Sequence, residues 1–86
     1  MTVQPEDLIE RFPEHLRLRL RPAADMAVQL IGMTPTEAER LAFSAGFTLV
    51  SIDIPHDGSL ALTTDLRVGR IRGLVRDGLI QTVLVG

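Results

Sequence analysis

The sequence predicts an α+β fold in which one helix packs on a small β-sheet and a long polar loop separates two of the strands. A helix with both start and stop signals covers residues 35–45. Apolar runs typical of strands follow at residues 47–54, 70–75 and 80–85. The 86 residues suffice for one domain with a small core.

A short helix and a strand are predicted in the N-terminal part of the chain. Pro5 suits a first helical position and acidic residues follow it, so we expect a helix from Pro5 to Phe12. Leucines then alternate with arginines, a period of two that is typical of a strand with one apolar and one basic face. The alternating residues are Leu16, Arg17, Leu18, Arg19, Leu20 and Arg21. Pro22 would end this strand, and residues 23–27 would form a linker.

The central helix is predicted by its end signals. Thr34 can cap it, Pro35 occupies the first helical position and Glu37 completes a capping box. Gly46 can adopt the left-handed conformation that stops a helix. We therefore expect a helix from Pro35 to Ala45.

Three strands are expected after this helix. The first runs from Phe47 to Ile54, and its predicted core face comprises Thr48, Val50, Ile52 and Ile54. The second covers residues 70–75 and turns at Asp77-Gly78. Residues 80–85 return as its antiparallel partner.

The segment between the first two strands carries one carboxylate followed by three arginines. Asp65 is followed by Arg67, Arg70 and Arg72. Arg70 and Arg72 are two residues apart on a strand, so their side chains leave the same face and can reach back toward the loop. Charge-assisted hydrogen bonds would then hold the loop rigid, and a rigid loop loses little entropy when a partner binds it.

Several blocks of the chain resemble a known family. They are LIGMTPTEAER at residues 30–40, TDLRVGRIRGLV at residues 64–75 and a final VLVG. In this order they are similar to the potato inhibitor I family of serine protease inhibitors, of which this chain would be a bacterial member. The resemblance implies two parts, an N-terminal extension of residues 1–27 and an inhibitor-like domain of residues 28–86. It also implies that the sheet is mixed, with the first two strands parallel and the exposed binding loop crossing between them.

The resemblance also implies a reactive site. It places the reactive bond between Thr64 and Asp65 and puts the guanidinium groups of Arg70 and Arg72 beneath the loop, bonded to Thr63 and Asp65. The residues implied to contact the protease are Ala61, Leu62, Thr63, Thr64, Asp65, Leu66 and Arg67. The protease would bind them as an added strand, and religation would compete with hydrolysis of the cut bond. Thr64 is polar and β-branched, which suits the shallow pocket of a subtilisin-like or elastase-like protease.

Some features depart from the family pattern and leave an alternative open. The loop is longer than the family spacing, and Ala27-Val28 replaces a Trp-Pro pair typical of plant members. The alternative is a non-inhibitory protein-interaction module on the same fold, with a homodimer formed through an edge strand at Leu16–Arg21. Residues 30–47 also resemble the start of cell-wall-binding PASTA modules, a pattern that has no place for the arginine blocks.

Composition argues against several other functions. The chain has no cysteine, no nucleophile elbow and no glycine-rich phosphate motif, and its two histidines lie far apart, so we expect neither an enzyme nor a metal or other cofactor. A net charge of −2 and the lack of Trp and Tyr argue against nucleic acid. No apolar run approaches the ~18 residues that span a membrane. As written the N-terminus has no signal peptide, which predicts a cytoplasmic protein, or a secreted one if a signal has been removed.

Overall fold

The computed structural model describes residues 3–59, 62 and 65–86. Within them the chain forms a small α+β domain with a mixed sheet, as the sequence predicts, but it has three helices before the three strands where two helices were expected. The helices are α1 (Pro5–Ile9), α2 (Glu14–Gln29) and α3 (Pro35–Ser44). The strands are β1 (Thr48–Asp53), β2 (Arg70–Arg76) and β3 (Leu79–Val85).

The sheet has β2 at its centre. Strand β1 pairs with β2 in parallel, from Thr48 opposite Arg70 to Asp53 opposite Val75. Strand β3 pairs with the other side of β2 in antiparallel orientation, through a turn at Asp77 and Gly78 that both have positive φ. A positive φ at two successive residues is typical of tight hairpin turns, so the turn chemistry places β3 beside β2.

The core lies between the helices and one face of the sheet, and it includes residues of the N-terminal part. Its buried members are Ile9, Leu20, Ala23, Ala24, Ala27, Leu30, Ala38, Ala42, Ile71, Val75, Ile80, Val83 and Val85. Gly73 on the central strand leaves room for this packing, because a Cβ there would lie 3.2 Å from Ile80 Cδ1 and 3.4 Å from Leu49 Cδ1. Residues 3–30 and the sheet therefore share one hydrophobic core.

The predicted strand at residues 16–21 and linker at residues 23–27 are wrong, because both belong to helix α2. Leu20 lies four residues after Leu16, and the buried alanines at positions 23, 24 and 27 continue the same helical face. Leu18, by contrast, is 74% exposed. Pro22 sits inside the helix, where it removes one backbone donor without ending the helix. The edge strand that suggested a homodimer does not exist in this structure.

The predicted core face of β1 is wrong at Thr48 and Val50, which are exposed, whereas its other two members, Ile52 and Ile54, are partly buried. Leu49 and Phe47 pack against the core, whereas Val50 is 41% exposed. The register explains this result, because Leu49 lies beside the buried Ile71 and Val50 lies beside Arg72. The arginine side of β2 faces away from the helices, so the alternation within β1 follows that of its partner.

The predicted central helix is confirmed to within one residue. Thr34 Oγ1 accepts a hydrogen bond from the Glu37 backbone N–H at 3.3 Å, and Gly46 follows the helix with a φ of 87°. Helix α1 begins at Pro5 as expected but ends at Ile9. Helix α2 begins only after Pro13, so a short corner containing Arg11 and Phe12 joins α1 to α2.

Candidate functional site

The parallel pairing of β1 with β2 determines where the connecting segment (residues 54–69) must run. It leaves the end of β1 and returns to the start of β2, which lies at the opposite end of the sheet. Both ends are tied to strands: the Ile54 N–H donates to Val75 O at 2.9 Å, and the Thr48 N–H donates to Gly69 O at 3.0 Å. Asp65 lies near the returning end, five residues before Arg70.

The Arg70 side chain binds both the main chain and the side chain of Asp65. Arg70 Nη2 donates to the main-chain oxygen of Asp65 at 2.8 Å. Its Nη1 and Nη2 also donate to the two carboxylate oxygens at 3.3 and 3.4 Å. One planar guanidinium group thus restrains both the backbone and the carboxylate of Asp65.

Two further arginines meet the same aspartate. Arg72 Nη2 donates to the main-chain oxygen of Asp65 at 3.3 Å and lies 3.6 Å from Oδ1. Arg67 Nε donates to Oδ2 at 3.0 Å. We refer to Asp65, Arg67, Arg70 and Arg72 together as the Asp65 cluster.

Arg70 also joins the Asp65 cluster to the end of β3. Its Nε and Nη2 donate to the main-chain oxygen of Gly86 at 3.1 and 3.0 Å, and the Gly86 N–H donates to Arg70 O at 3.2 Å. Sequence reasoning assigned no role to Gly86, although the final VLVG was part of the resemblance. The contact spans sixteen positions and depends on the β2–β3 register, which no local pattern reveals.

Burial separates the strong contacts of the Asp65 cluster from the weak one. The side chains of Arg70 and Arg72 are only 15% and 9% exposed, whereas that of Arg67 is 70% exposed. A sheltered charge-assisted hydrogen bond contributes roughly 1.5–3 kcal/mol. The exposed Arg67 pair contributes no more than about 1 kcal/mol, because water screens it. Arg70 and Arg72 are therefore the principal supports of Asp65.

The other end of the connecting segment contains a local turn. The N–H and the hydroxyl of Ser59 both donate to Asp57 Oδ1, at 2.9 and 2.8 Å, and Gly58 between them has a φ of 77°. The backbone hydrogen bond from Ser59, followed by that of its hydroxyl, lowers the pKa of Asp57. A carboxylate that is ionised at neutral pH thus holds this turn closed.

A cavity of about 370 Å³ lies beside the Asp65 cluster. Leu62, Asp65 and Leu66 line it from the connecting segment, and Phe12 of the N-terminal corner and Gly86 line it from the other side. Leu62 is partly buried and Leu66 is 42% exposed. Leu62, Asp65 and Leu66 therefore border a space that the N-terminal part of the chain helps to enclose.

Only some of the predicted contact residues are among those that the structure describes. Leu62, Asp65, Leu66 and Arg67 are described, and the last three lie a few residues before β2. The predicted positions Ala61, Thr63 and Thr64 lie outside the described residues. The expected bonds from Arg70 and Arg72 to Thr63 therefore remain a prediction, whereas both arginines bond to Asp65.

Comparisons with protein-family models, with curated proteins and with solved structures give no match to this chain. The part of the chain that the structure describes contains no group of three His, Cys, Asp or Glu residues placed to hold a metal ion. It also contains no helix with the length and apolar character needed to cross a bilayer.

Proposed function

We propose that this protein is a serine protease inhibitor of the potato inhibitor I type, which presents residues 61–67 as a substrate-like loop with its reactive bond at Thr64-Asp65. The observation that carries the proposal is the double restraint of Asp65 by two nearly buried arginines. Ordinary surface ion pairs join exposed side chains. Here two sheltered guanidinium groups bond to the main-chain oxygen of a residue in an irregular segment, which restrains the backbone itself.

Restraint of Asp65 is what slow hydrolysis of the reactive bond requires. The protease serine attacks the Thr64 carbonyl carbon, the peptide bond to Asp65 breaks, and the Asp65 nitrogen leaves as an amine. Arg70 binds Asp65 on one side and Gly86 on the other, so the new amine stays near the acyl-enzyme. Its high local concentration favours re-formation of the peptide bond over attack by water. The inhibitor then behaves as a substrate that is released mostly uncut.

The restraint also favours tight binding. An extended segment that binds as an added strand normally loses conformational entropy when the protease orders it. Arg70 and Arg72 have already ordered Asp65 before binding, so part of this cost is met during folding. The short, polar side chain proposed for the primary pocket, that of Thr64, favours a protease with a shallow pocket, of the subtilisin or elastase type.

The test is a titration of subtilisin, elastase, chymotrypsin and trypsin with the purified protein, with mass spectrometry of each mixture. We expect subtilisin or elastase to be inhibited with a sub-micromolar inhibition constant, which corresponds to a binding free energy of about −8 kcal/mol or more negative. The inhibitor should stay intact or be cut only between Thr64 and Asp65.

Two results would contradict the proposal. One is rapid cleavage of the connecting segment without inhibition, and the other is indifference of the protein to all four proteases. Indifference would favour the non-inhibitory interaction module on the same fold.

A further inference from the structure

The N-terminal corner between α1 and α2 reaches the proposed inhibitory site. Phe12 of this corner is partly buried and packs against the hydrophobic core. The Arg11 guanidinium lies 4.7 Å from the centre of the Phe12 ring, so a cation covers one side of it. Phe12 is also one of the residues that line the cavity beside Asp65.

Gly86 lies where Phe12 and Leu66 approach the same backbone. A Cβ built on Gly86 would lie 2.8 Å from Leu66 Cδ1 and 3.6 Å from Phe12 Cζ. Glycine is thus the residue that lets Leu66 pack directly onto the chain at this point, with the Phe12 ring next to it. The same Gly86 accepts two hydrogen bonds from Arg70.

We propose that Phe12 is a positioning residue for the reactive loop, which acts by holding Gly86 and Leu66 in place. This inference rests on the proposed inhibitory function. Phe12 supports Gly86, which orients the Arg70 guanidinium. Phe12 also lies near the side chain of Leu66, the residue that follows Asp65. Phe12, which lies outside the inhibitor-like domain of residues 28–86, would thereby contribute to inhibition.

Loss of the Phe12 ring should affect Asp65, the residue on the leaving side of the reactive bond. Arg70 can hold Asp65 only while its own orientation is held, and Gly86 supplies that orientation through Nε and Nη2. Without the Phe12 ring, Gly86 and Leu66 become more mobile. The Arg70 guanidinium, which is bonded to Gly86, then becomes more mobile as well. The association rate with a protease depends on the loop side chains that meet it, which this substitution does not alter, so that rate changes little. Hydrolysis of the bound loop becomes faster, because the amine formed at Asp65 moves away more often.

The experiment compares three variants of the full chain with the natural sequence. Phe12→Ala removes the ring, and Phe12→Leu keeps an apolar side chain of related volume. Phe43→Ala makes the same chemical change on α3, where Phe43 is 79% exposed, and serves as the matched control. The first measurement is NMR hydrogen exchange of the Arg70 Nε proton and the Gly86 amide in the free protein, compared with the amides of Ile71 and Val83 in the core.

The second measurement is kinetic. For each variant, the association rate with subtilisin is measured separately from the rate at which the bound inhibitor is hydrolysed. In Phe12→Ala we expect both the exchange of the Arg70 Nε proton and the hydrolysis rate to rise about tenfold, with the association rate unchanged. Phe12→Leu should restore most of the protection, and Phe43→Ala should behave as the natural sequence.

Two exchange results overturn the proposal. They are unchanged exchange at Arg70 and Gly86 in Phe12→Ala, and a uniform rise that includes Ile71 and Val83, which would show only a loss of global stability. If the natural sequence inhibits no protease, the inhibitory function fails while the exchange measurement still decides whether Phe12 positions Gly86 and Arg70. If exchange rises but hydrolysis of an inhibited protease does not, positioning by Phe12 plays no part in inhibition.

Discussion

The Arg70 guanidinium lies 2.8 Å from the main-chain oxygen of Asp65, and this contact joins the central strand of the sheet to the segment that precedes it. Arg70 is only 15% exposed, so the bond is sheltered from water. Its second set of bonds, to Gly86, leaves the guanidinium little freedom to turn away. The rigidity of Asp65 therefore depends on residues from two other parts of the chain.

Replacing Arg70 should convert the inhibitor into a substrate. In Arg70→Ala, Asp65 loses its shortest restraint and Gly86 loses both donors. We expect inhibition to weaken by roughly 1.5–3 kcal/mol, about 10-fold to 150-fold in the inhibition constant. Cleavage at Thr64-Asp65 should become readily detectable by mass spectrometry. Arg70→Lys should recover only part of the loss, because an ammonium group cannot bond in two directions in one plane.

Arg76→Ala is the matched control for this change. Arg76 is an exposed arginine at the far end of the same strand. Its replacement should leave inhibition unchanged, while circular dichroism of each variant shows whether the fold is intact. Equal effects of the two substitutions would show that strand charge, and not the contact with Asp65, is responsible.

Two leucines of α2 should differ sharply in their contribution to stability. Leu20 is fully buried and Leu18 is 74% exposed. Leu20→Ala should lower the free energy of unfolding by about 2–5 kcal/mol, because it leaves a cavity in the core. Leu18→Ala should change it by less than about 0.5 kcal/mol. Chemical denaturation measures both, and equal losses would instead fit the strand alternation that the sequence suggested.

Substitution of Gly86 should cost more than substitution of another glycine with positive φ. Gly86 has a φ of 104° and Gly78 a φ of 79°, so alanine is strained at both positions. Only at Gly86 does the added Cβ meet a side chain, Leu66 Cδ1 at 2.8 Å. We expect Gly86→Ala to destabilise the protein by about 1 kcal/mol more than Gly78→Ala. Thermal unfolding of the two variants measures the difference, and equal losses would show that the Leu66 side chain is not held against Gly86 and turns aside without cost.

The turn at Asp57 should respond to pH with a known sign. The hydrogen bonds from Ser59 lower the pKa of the Asp57 carboxyl in the folded protein. A carboxyl with a lowered folded pKa adds stability above its unfolded pKa of about 3.9, and this stability is lost as the pH falls through the folded value. Carboxyl-carbon NMR should therefore give Asp57 a pKa below about 3.9. In Ser59→Ala the pKa should rise but stay below the ordinary value, because the backbone hydrogen bond remains. A titration midpoint at or above the ordinary value would contradict the hydrogen-bonded turn.

Local signals in the sequence were enough for the elements whose ends are set by nearby residues. Thr34 caps α3 by accepting a hydrogen bond from the Glu37 N–H, and Gly46 stops it, so its bounds could be read from the thirteen residues 34–46. Asp77-Gly78 likewise determines where β2 turns into β3. The spacing of Arg70 and Arg72 predicts that both side chains leave one face of β2, and in the structure both bond to Asp65.

Other features were decided only by tertiary contacts. The alternation from Leu16 to Arg21 fits a strand as well as a helix, and the helix prevails because its alanine face packs closely against the sheet. The buried side of β1 follows from its register with β2, which places Leu49 beside Ile71. The bonds of Gly86 to Arg70 and its proximity to Phe12 join residues from opposite ends of the chain. The sequence by itself determined the elements whose signals lie within a few residues, whereas packing and strand register decided the rest, because their energies arise from residues that meet only in the folded chain.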